Sequence, residues 1–454
     1  MPACLDRYVR AQIYSYWGRM LRIVISNRTI RRERKMAELT PLPQARQIVL
    51  DHTGLLETET VDLISAAGRV AAADLKADID NGPFAAVCMD GFAVRASQLE
   101  NASEENPVEL DVLAEVAAGD YYEGDFEDGQ CLRIMTGAPL PACADSVVKY
   151  EIVGVVSGDG MPGGRVSFTT PVKLGNNVRE PGQDAKAGET VVRTGEVINS
   201  GGVGFLASCG VVEVPTYRRP RVAIMATGSE LVDPAVVPTK GQIRNSNSAS
   251  LAACVVEAGG IPTILPIVKD TYEALVDAVK AAVKEYDYVI TTGGAANGDF
   301  DFIKRVVEDL GQLYLSTVNM RPGKAQTFGI VDGVPVFGLP GNPAAAYIGF
   351  QMLVRPALRK MQGYSHFDRI ELKAKLATDV KAKKDARMTL MRAVIEKGED
   401  GGYIALPLKK QSSGLFGPLQ RSNALVVVPR GDEGHAKGDE VSCIILDVPE
   451  ELAL

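Results

Sequence analysis

Leu42, Ala45, Ile48 and Val49 recur at helical spacing and predict an N-terminal helical piece over 42–52. Apolar and small residues then mix over 61–73, up to a break at Gly82-Pro83. From about 80 to 192 the chain is glycine-rich with short alternating segments, which predicts a β-dominated region with 157–165 as a mobile hairpin tip. The style changes at Pro220. An apolar run over 222–226 enters Thr227-Gly228, and Leu251, Val255, Val256 and Ala258 then mark a helix stopped by Gly259-Gly260. Strands over 261–268, 288–292 and 334–339 alternate with helices over 272–285 and 303–310. Such βαβ units imply a parallel sheet covered on both faces, with ligands beyond the carboxyl ends of its strands. The glycine turns Thr227-Gly228, Gly293-Gly294 and 338–343 fall there, and the last leads into a helix to about Gln362. Beyond Gly363 the period becomes two, with Ile370, Leu372, Ala374 and Leu376 on one strand face, and apolar runs follow at 424–428 and 441–446. A small β-barrel or sandwich is expected there.

The 454 residues are 46% hydrophobic and 23% charged, which suits about three domains rather than one core. No stretch approaches the roughly 20 uninterrupted apolar residues of a membrane span. Residues 1–35 carry nine Arg and Lys against Asp6 and Glu33, a net +7 that leaves −15 for residues 36–454. This stretch lacks the cleavage pattern of a secretory signal. It is expected to be a disordered extension or the result of an upstream start codon, with Met36 as the working start. A basic membrane-surface helix using Tyr14, Trp17, Leu21 and Ile25 is the alternative. The acidic remainder argues against nucleic-acid binding, which needs basic surface. Seven scattered cysteines without a Cys-x-x-Cys pair indicate neither a zinc cage nor a disulfide framework. With three separated histidines, any metal is expected on oxygen ligands.

The turns carry the candidate chemistry. Gly293, Gly294, Pro340, Gly341 and Asn342 leave backbone N–H groups free to approach an oxyanion at helix N-termini. Tight strand-to-helix turns are the plain alternative. Arg321 and Lys324, on the turn 320–324, suit phosphate or carboxylate recognition as a planar fork and a point charge, or else form a solvated basic turn. Asp90, Asp184, Glu230, Asp299 and Asp301 all flank glycine turns. If several face a phosphorylated substrate, each like-charge pair at about 4 Å costs about 4 kcal/mol at an effective dielectric of about 20. A cation must then intervene, and Mg²⁺ is the expected one. Thr136, in 133–141, either donates to an oxyanion or caps its turn.

Nine segments stand in one order: MDGFAVRA (89–96), RIMTGAPLP (133–141), NVREPGQDAKAGE (177–189), ATGSEL (226–231), GQIRNSNS (241–248), TTGGAANGDFD (291–301), RPGK (321–324), GLPGNP (338–343) and QSSGLFGPLQRSNAL (411–425). In content and order they resemble the MoeA family of molybdopterin molybdenumtransferases, whose vertebrate relative is the E domain of gephyrin. The resemblance implies an α/β plus β fold. It predicts an elongated multi-domain subunit with a MogA-like three-layer α/β domain (220–363), a β-rich inserted lobe (81–180), a discontinuous linker domain (36–80 and 181–219) and a C-terminal β-barrel (364–454).

The resemblance further implies a cytoplasmic homodimer whose cleft joins the α/β domain of one subunit to the N-terminal parts of the other. The implied reaction inserts molybdate into adenylylated molybdopterin and releases AMP, with Mg²⁺. Asp90, Thr136, Asp184, Glu230 and Asp301 then take catalytic positions, with Glu230 and Asp301 on the metal. Gly293, Gly294, Arg321, Lys324, Pro340, Gly341, Asn342 and Ser413 bind substrate, and Asp90 and Thr136 act in trans. A MogA-type adenylyltransferase and molybdoenzyme maturation proteins are the implied partners. The chain departs from the family pattern at Val87, Ala296 and Ala345, where serines are usual, and at Arg321 and Ala325, where lysine and proline are. A tungstate-specific paralogue, a non-catalytic molybdopterin-binding scaffold and a MogA-like adenylyltransferase are the competing readings.

Overall fold

A computed structural model describes residues 39–293, 302–381, 387–432 and 434–447. The basic segment 1–35, Gly294, Ala296, Asp299 and Asp301 lie outside the described residues. The chain divides into two compact units, one containing residues 219–360 and 366–454 with the segment before residue 55, the other containing 55–218 and 361–365.

The first unit opens with the expected helix, Leu42–Asp51, started by Pro43 in its first turn and burying Ala45, Val49 and Leu50. Its α/β layer runs β1 (Arg221–Ala226), α1 (Ser246–Glu257), β2 (Ile261–Ile264), α2 (Tyr272–Ala282), β3 (Tyr288–Thr292), α3 (Phe302–Leu310), β4 (Gly311–Arg321), β5 (Ala325–Val331), β6 (Val334–Leu339) and α4 (Pro343–Gly349). The sheet order is β2-β1-β3-β6-β5-β4. The first four strands are parallel, as the βαβ pattern predicts, and all five residues of β3 are buried, as strands covered on both faces must be. Strands β4 and β5 were not read from the sequence. β5 pairs antiparallel with β6 and β4 antiparallel with β5, which makes the sheet mixed.

Local caps set the helix starts. The Asn245 side chain accepts from Ser248 N at the head of α1, and Thr271 Oγ1 accepts from Ala274 N at the head of α2. Caps of this kind contribute about 1 kcal/mol each. One core cluster packs Leu275 and Val279 of α2 and Ile303, Val306 and Val307 of α3 against Ala223, Met225, Val289 and Val336 of the sheet. The helix expected after 338–343 runs from α4 through a π-helical turn at Phe350–Val354 into Arg355–Met361.

Five further strands, β7 (Glu371–Leu376), β8 (Met388–Lys397), β9 (Tyr403–Pro407), β10 (Ala424–Val428) and β11 (Glu440–Ile445), close into a barrel. The order is β8-β9-β7-β11-β10, and β10 returns to pair with β8. This decides between barrel and sandwich. Ala374 and Leu376 point into its core at 2% exposure, whereas Ile370 precedes β7 and is 63% exposed.

The second unit contains a six-stranded sheet with the order Ser146–Lys149, Gly91–Val94, Gln130–Ile134, Val108–Val116, Arg165–Phe168, Gly154–Ser157. Separate clusters pack Phe92, Val94 and Phe168, and Ala93, Phe126 and Leu132. Alternate residues of one strand feed the two, as a pleat requires. The segment 157–165 is the expected hairpin tip, turning at Gly158–Gly160. The rest of the unit pairs Thr58–Asp62 with Glu213–Tyr217 and holds the helix Ser200–Ser208. Among the described residues no helix is long and apolar enough to cross a membrane.

Candidate active site

The carboxyl ends of β1, β3 and β6 meet, as a parallel sheet dictates. Thr227 N donates to Thr292 O at 2.9 Å, and Gly293 N to Leu339 O at 3.3 Å. Gly293 adopts φ +94°, and a Cβ there would lie 2.2 Å from Thr227 O, so the turn accepts no larger residue without moving. Gly341 stands beside this turn, where a Cβ would make ordinary contact with Gly293 Cα at 3.5 Å. These backbone turns and α1 border a cavity of about 330 Å³ lined by Thr227, Glu230, Asn245, Asn247, Thr292, Gly293, Gly341 and Asn342. The Glu230 carboxylate folds back over Gly228, where a side chain would meet it at 2.7 Å.

Asn342 also borders a second cavity of about 920 Å³. Its wall combines Arg321, Lys324 and Pro340 from the α/β layer with Lys381, Arg387, Lys409 and Ser413 from the barrel region. Among the described residues, five cations line this space against one carboxylate, Asp379. That excess suits a polyanionic ligand. The Arg321–Lys324 turn is held from beneath by Gln326, which is fully buried and donates Nε2 to Gly323 O at 3.1 Å. The barrel side is held by Gln411. Its Oε1 accepts from Arg392 N at 3.1 Å, and its Nε2 donates to Arg392 O and Leu408 O at 2.8 Å. Ser413 O then accepts from Ala344 N at 2.8 Å, in the first turn of α4.

In the second unit, Thr136 donates both its N–H and its hydroxyl to Asp90 Oδ1, each at 2.7 Å. The backbone N–H of Thr136, then its hydroxyl, hold the Asp90 carboxyl below its ordinary range. Gly91 is required by close approach, since a Cβ would lie 2.1 Å from Val148 O. Asp184 Oδ2 accepts from Asn81 Nδ2 at 3.0 Å, and the same amide reaches Ser208 Oγ. The predicted residues therefore form separate groups: Glu230, Gly293, Gly341 and Asn342 at one cavity, Arg321, Lys324, Pro340, Asn342 and Ser413 at the other, and Asp90 with Thr136 in the second unit. Gly294 and Asp301 lie outside the described residues. Asn247, Lys381, Arg387, Lys409 and Gln411 were not singled out from the sequence. They come from distant segments, and no spacing rule links them.

Three family models match in chain order: the MoeA N-terminal region (domain I and II) over 40–210, the probable molybdopterin binding domain over 223–360, and the MoeA C-terminal region (domain IV) over 373–446. The chain is 34% identical to the molybdopterin molybdenumtransferase of Bacillus subtilis over 410 residues, covering 90% of this chain and 94% of that one. The chain belongs to the MoeA family. Its relative of the same name in Staphylococcus aureus (strain COL) is 32% identical over 419 residues, 91% of this chain and 98% of that one. The molybdopterin biosynthesis MoeA protein of Pyrococcus horikoshii OT3 superposes with TM-score 0.76 at 30% identity, covering 90% of this chain and 100% of that structure. The α/β plus β architecture and a role in molybdenum cofactor biosynthesis follow.

Four departures from the MoeA pattern can be located, and two of them, Arg321 and Ala325, line the cationic cavity. Val87 is 2% exposed and packs with Phe126, Leu132 and Ala138, so it supplies a core contact and leaves no gap at a ligand wall. Ala345 does line the cationic cavity. As to metal, no group of three His, Cys, Asp or Glu among the described residues could hold an ion. The lining of the smaller cavity contains Glu230, Arg244, hydroxyls and amides, with neither thiol nor imidazole. Hard oxygen donors of this kind fit Mg²⁺ better than a soft metal.

Proposed function

We propose that this chain is a molybdopterin molybdenumtransferase that inserts molybdate into adenylylated molybdopterin and releases AMP. The observation that carries the reading is the pair of cavities meeting at Asn342, one strongly cationic and one lined by glycine turns and Glu230. The substrates, a phosphorylated dithiolene adenylate and an oxyanion, are both anionic. Arg321 and Lys324 hold them by charge, Ser413 and the turn of Gly341 and Asn342 orient them, and Lys381, Arg387 and Lys409 extend the positive field. Glu230, with Asp301 from outside the described residues, would hold a Mg²⁺ ion, which would offset phosphate charge. The Thr136 N–H and hydroxyl hold the Asp90 carboxyl below its ordinary range, and the pair acts across a homodimer on the partner's site. Asp184 supports the same half of the site. Catalysis is mainly positioning and charge stabilisation. The enzyme works in the cytoplasm, downstream of a MogA-type adenylyltransferase and upstream of molybdoenzyme maturation proteins.

The test supplies the full chain with adenylylated molybdopterin and Mg²⁺, with and without molybdate or tungstate, and measures AMP release and active cofactor. Oxyanion-dependent turnover is expected, with Lys324→Ala lowering kcat/KM at least tenfold. Binding of the adenylate without any oxyanion-dependent AMP release would refute the transferase reading.

A further inference from the structure

The turn Pro340–Asn342 follows β6 and borders both cavities. Two of its carbonyls are held from one side. Thr292 Oγ1 donates to Pro340 O at 3.1 Å, and Asn247 Nδ2 donates to Gly341 O at 2.9 Å. The same Nδ2 donates to Thr292 Oγ1 at 2.9 Å, which directs the hydroxyl proton toward Pro340. These three bonds form one latch between the end of β3, where Thr292 is 2% exposed, and the second residue of α1.

Both peptides of this turn are trans. In a trans peptide the C=O and the N–H that follows it lie in one plane and point in opposite directions. Pro340 C=O therefore shares its plane with Gly341 N–H, and Gly341 C=O with Asn342 N–H. Holding the two oxygens turns the two N–H groups away from Thr292 and Asn247. Neither N–H donates to another described residue, and Gly341 and Asn342 are both exposed. Successive backbone N–H groups aimed to one side make a concavity that suits an anionic oxygen.

We infer that Asn247 and Thr292 are positioning residues: their latch fixes the direction of the Gly341 and Asn342 N–H groups, which hold an anionic oxygen of the substrate. This deepens the transferase reading and rests on it. The oxygen belongs to the phosphate of the adenylate or to molybdate, since both present the same chemistry to a backbone donor. Thr292 acts through Pro340 and Asn247 through Gly341. Without the latch the two peptide planes rotate and their N–H groups diverge, and misplacement on the order of 1 Å costs up to about a hundredfold in rate.

The test compares wild type with Thr292→Val, Thr292→Ser, Asn247→Ala and Thr291→Val, in steady-state turnover of adenylylated molybdopterin and in calorimetric titrations with AMP and with molybdate. Thr291→Val is the control. It makes the same change one residue earlier on β3, at a buried hydroxyl with no hydrogen-bond partner among the described residues. Thr292→Val and Asn247→Ala are each expected to lower kcat/KM by about tenfold or more and to weaken the binding of one titrant about tenfold. Thr292→Ser, which restores the hydroxyl, and Thr291→Val should stay within about threefold of wild type. Asn247 is half-buried, so Asn247→Ala reads the latch without a core defect at Thr292. Weaker AMP binding in both latch variants assigns the N–H pair to the phosphate, and weaker molybdate binding assigns it to the oxyanion. Latch variants that titrate like Thr291→Val with both ligands, or a Thr292→Ser as impaired as Thr292→Val, overturn the inference. Absence of oxyanion-dependent AMP release in wild type would instead overturn the transferase reading, while the two titrations still decide the latch.

Discussion

Gly293→Ala perturbs the point where two strand ends and a glycine turn come together. The residue adopts φ +94°, and an added Cβ meets Thr227 O at 2.2 Å and Thr227 Oγ1 at 3.0 Å. The first distance is about 1 Å short of ordinary contact. Thr227 cannot yield freely, because its N–H is bonded to Thr292 O at 2.9 Å and it bridges to Val268. A side chain at such a backbone angle costs roughly 1–2 kcal/mol, and forced overpacking of a fixed neighbour adds about 1–3 kcal/mol. The sum, roughly 2–5 kcal/mol, lowers the unfolding midpoint of a domain this size by roughly 4–20 °C. Gly333→Ala is the control, since Gly333 has φ +81° but open space around its Cβ position. Differential scanning calorimetry of both variants, with AMP titrations alongside, measures the difference. Gly293→Ala should be the less stable by at least about 1 kcal/mol and should bind AMP more weakly. Equal stability of the two variants would refute the claim that close approach, rather than backbone angle alone, demands glycine at 293.

Thr136→Val removes the hydroxyl donor from Asp90 but keeps the backbone donor, so the melting temperature should stay within about 2 °C while kcat/KM falls at least tenfold in the AMP-release assay. Gln411→Leu cuts the amide's three bonds to Arg392 and Leu408 and lets the segment carrying Ser413 drift. A KM increase of about tenfold is expected, with the barrel still folded by circular dichroism. Burial pushes the Cys131 and Cys254 thiols up to about 12 and Cys443 to about 11. Their neutral form is favoured in the fold, so this contribution is complete below the ordinary thiol range near pH 8.5 and is lost as pH climbs through the raised values. Urea midpoints should fall above about pH 9, and these three thiols should resist iodoacetamide at pH 8 until the chain unfolds.

Much of the α/β layer was legible because its signals are local. Buried runs such as Tyr288–Thr292 and Val334–Leu339 are bounded by glycine turns, and α2 shows its apolar face within eleven residues. The ordered motifs likewise identify the family, and the Asp90–Thr136 pair and the Arg321–Lys324 turn stand within them. Strand β4 was missed because its burial does not alternate: only Gly311 and Gln312 are exposed, and Val318, Asn319 and Met320 are buried in succession. The strand expected over 261–268 stops at Ile264, where Pro266 removes a ladder donor.

By itself the sequence determined the parallel strands and the helices of the α/β layer, where glycine must turn the chain, and which family the chain joins, since each depends on neighbours in sequence or on motif order. Barrel closure was decided by pairing β8 with both β9 and β10, a register between distant segments that no local period encodes. Tertiary structure alone also made the site. Lys381, Arg387 and Lys409 line the same cavity as Arg321 and Lys324 although they stand far from them in the chain. Val87 became a core residue by facing Phe126 and Leu132. The orientation of Asn247 was set by two acceptors 45 and 94 residues away in the chain. Charge, burial and hydrogen-bond direction depend on what stands opposite a side chain, and folding decides that.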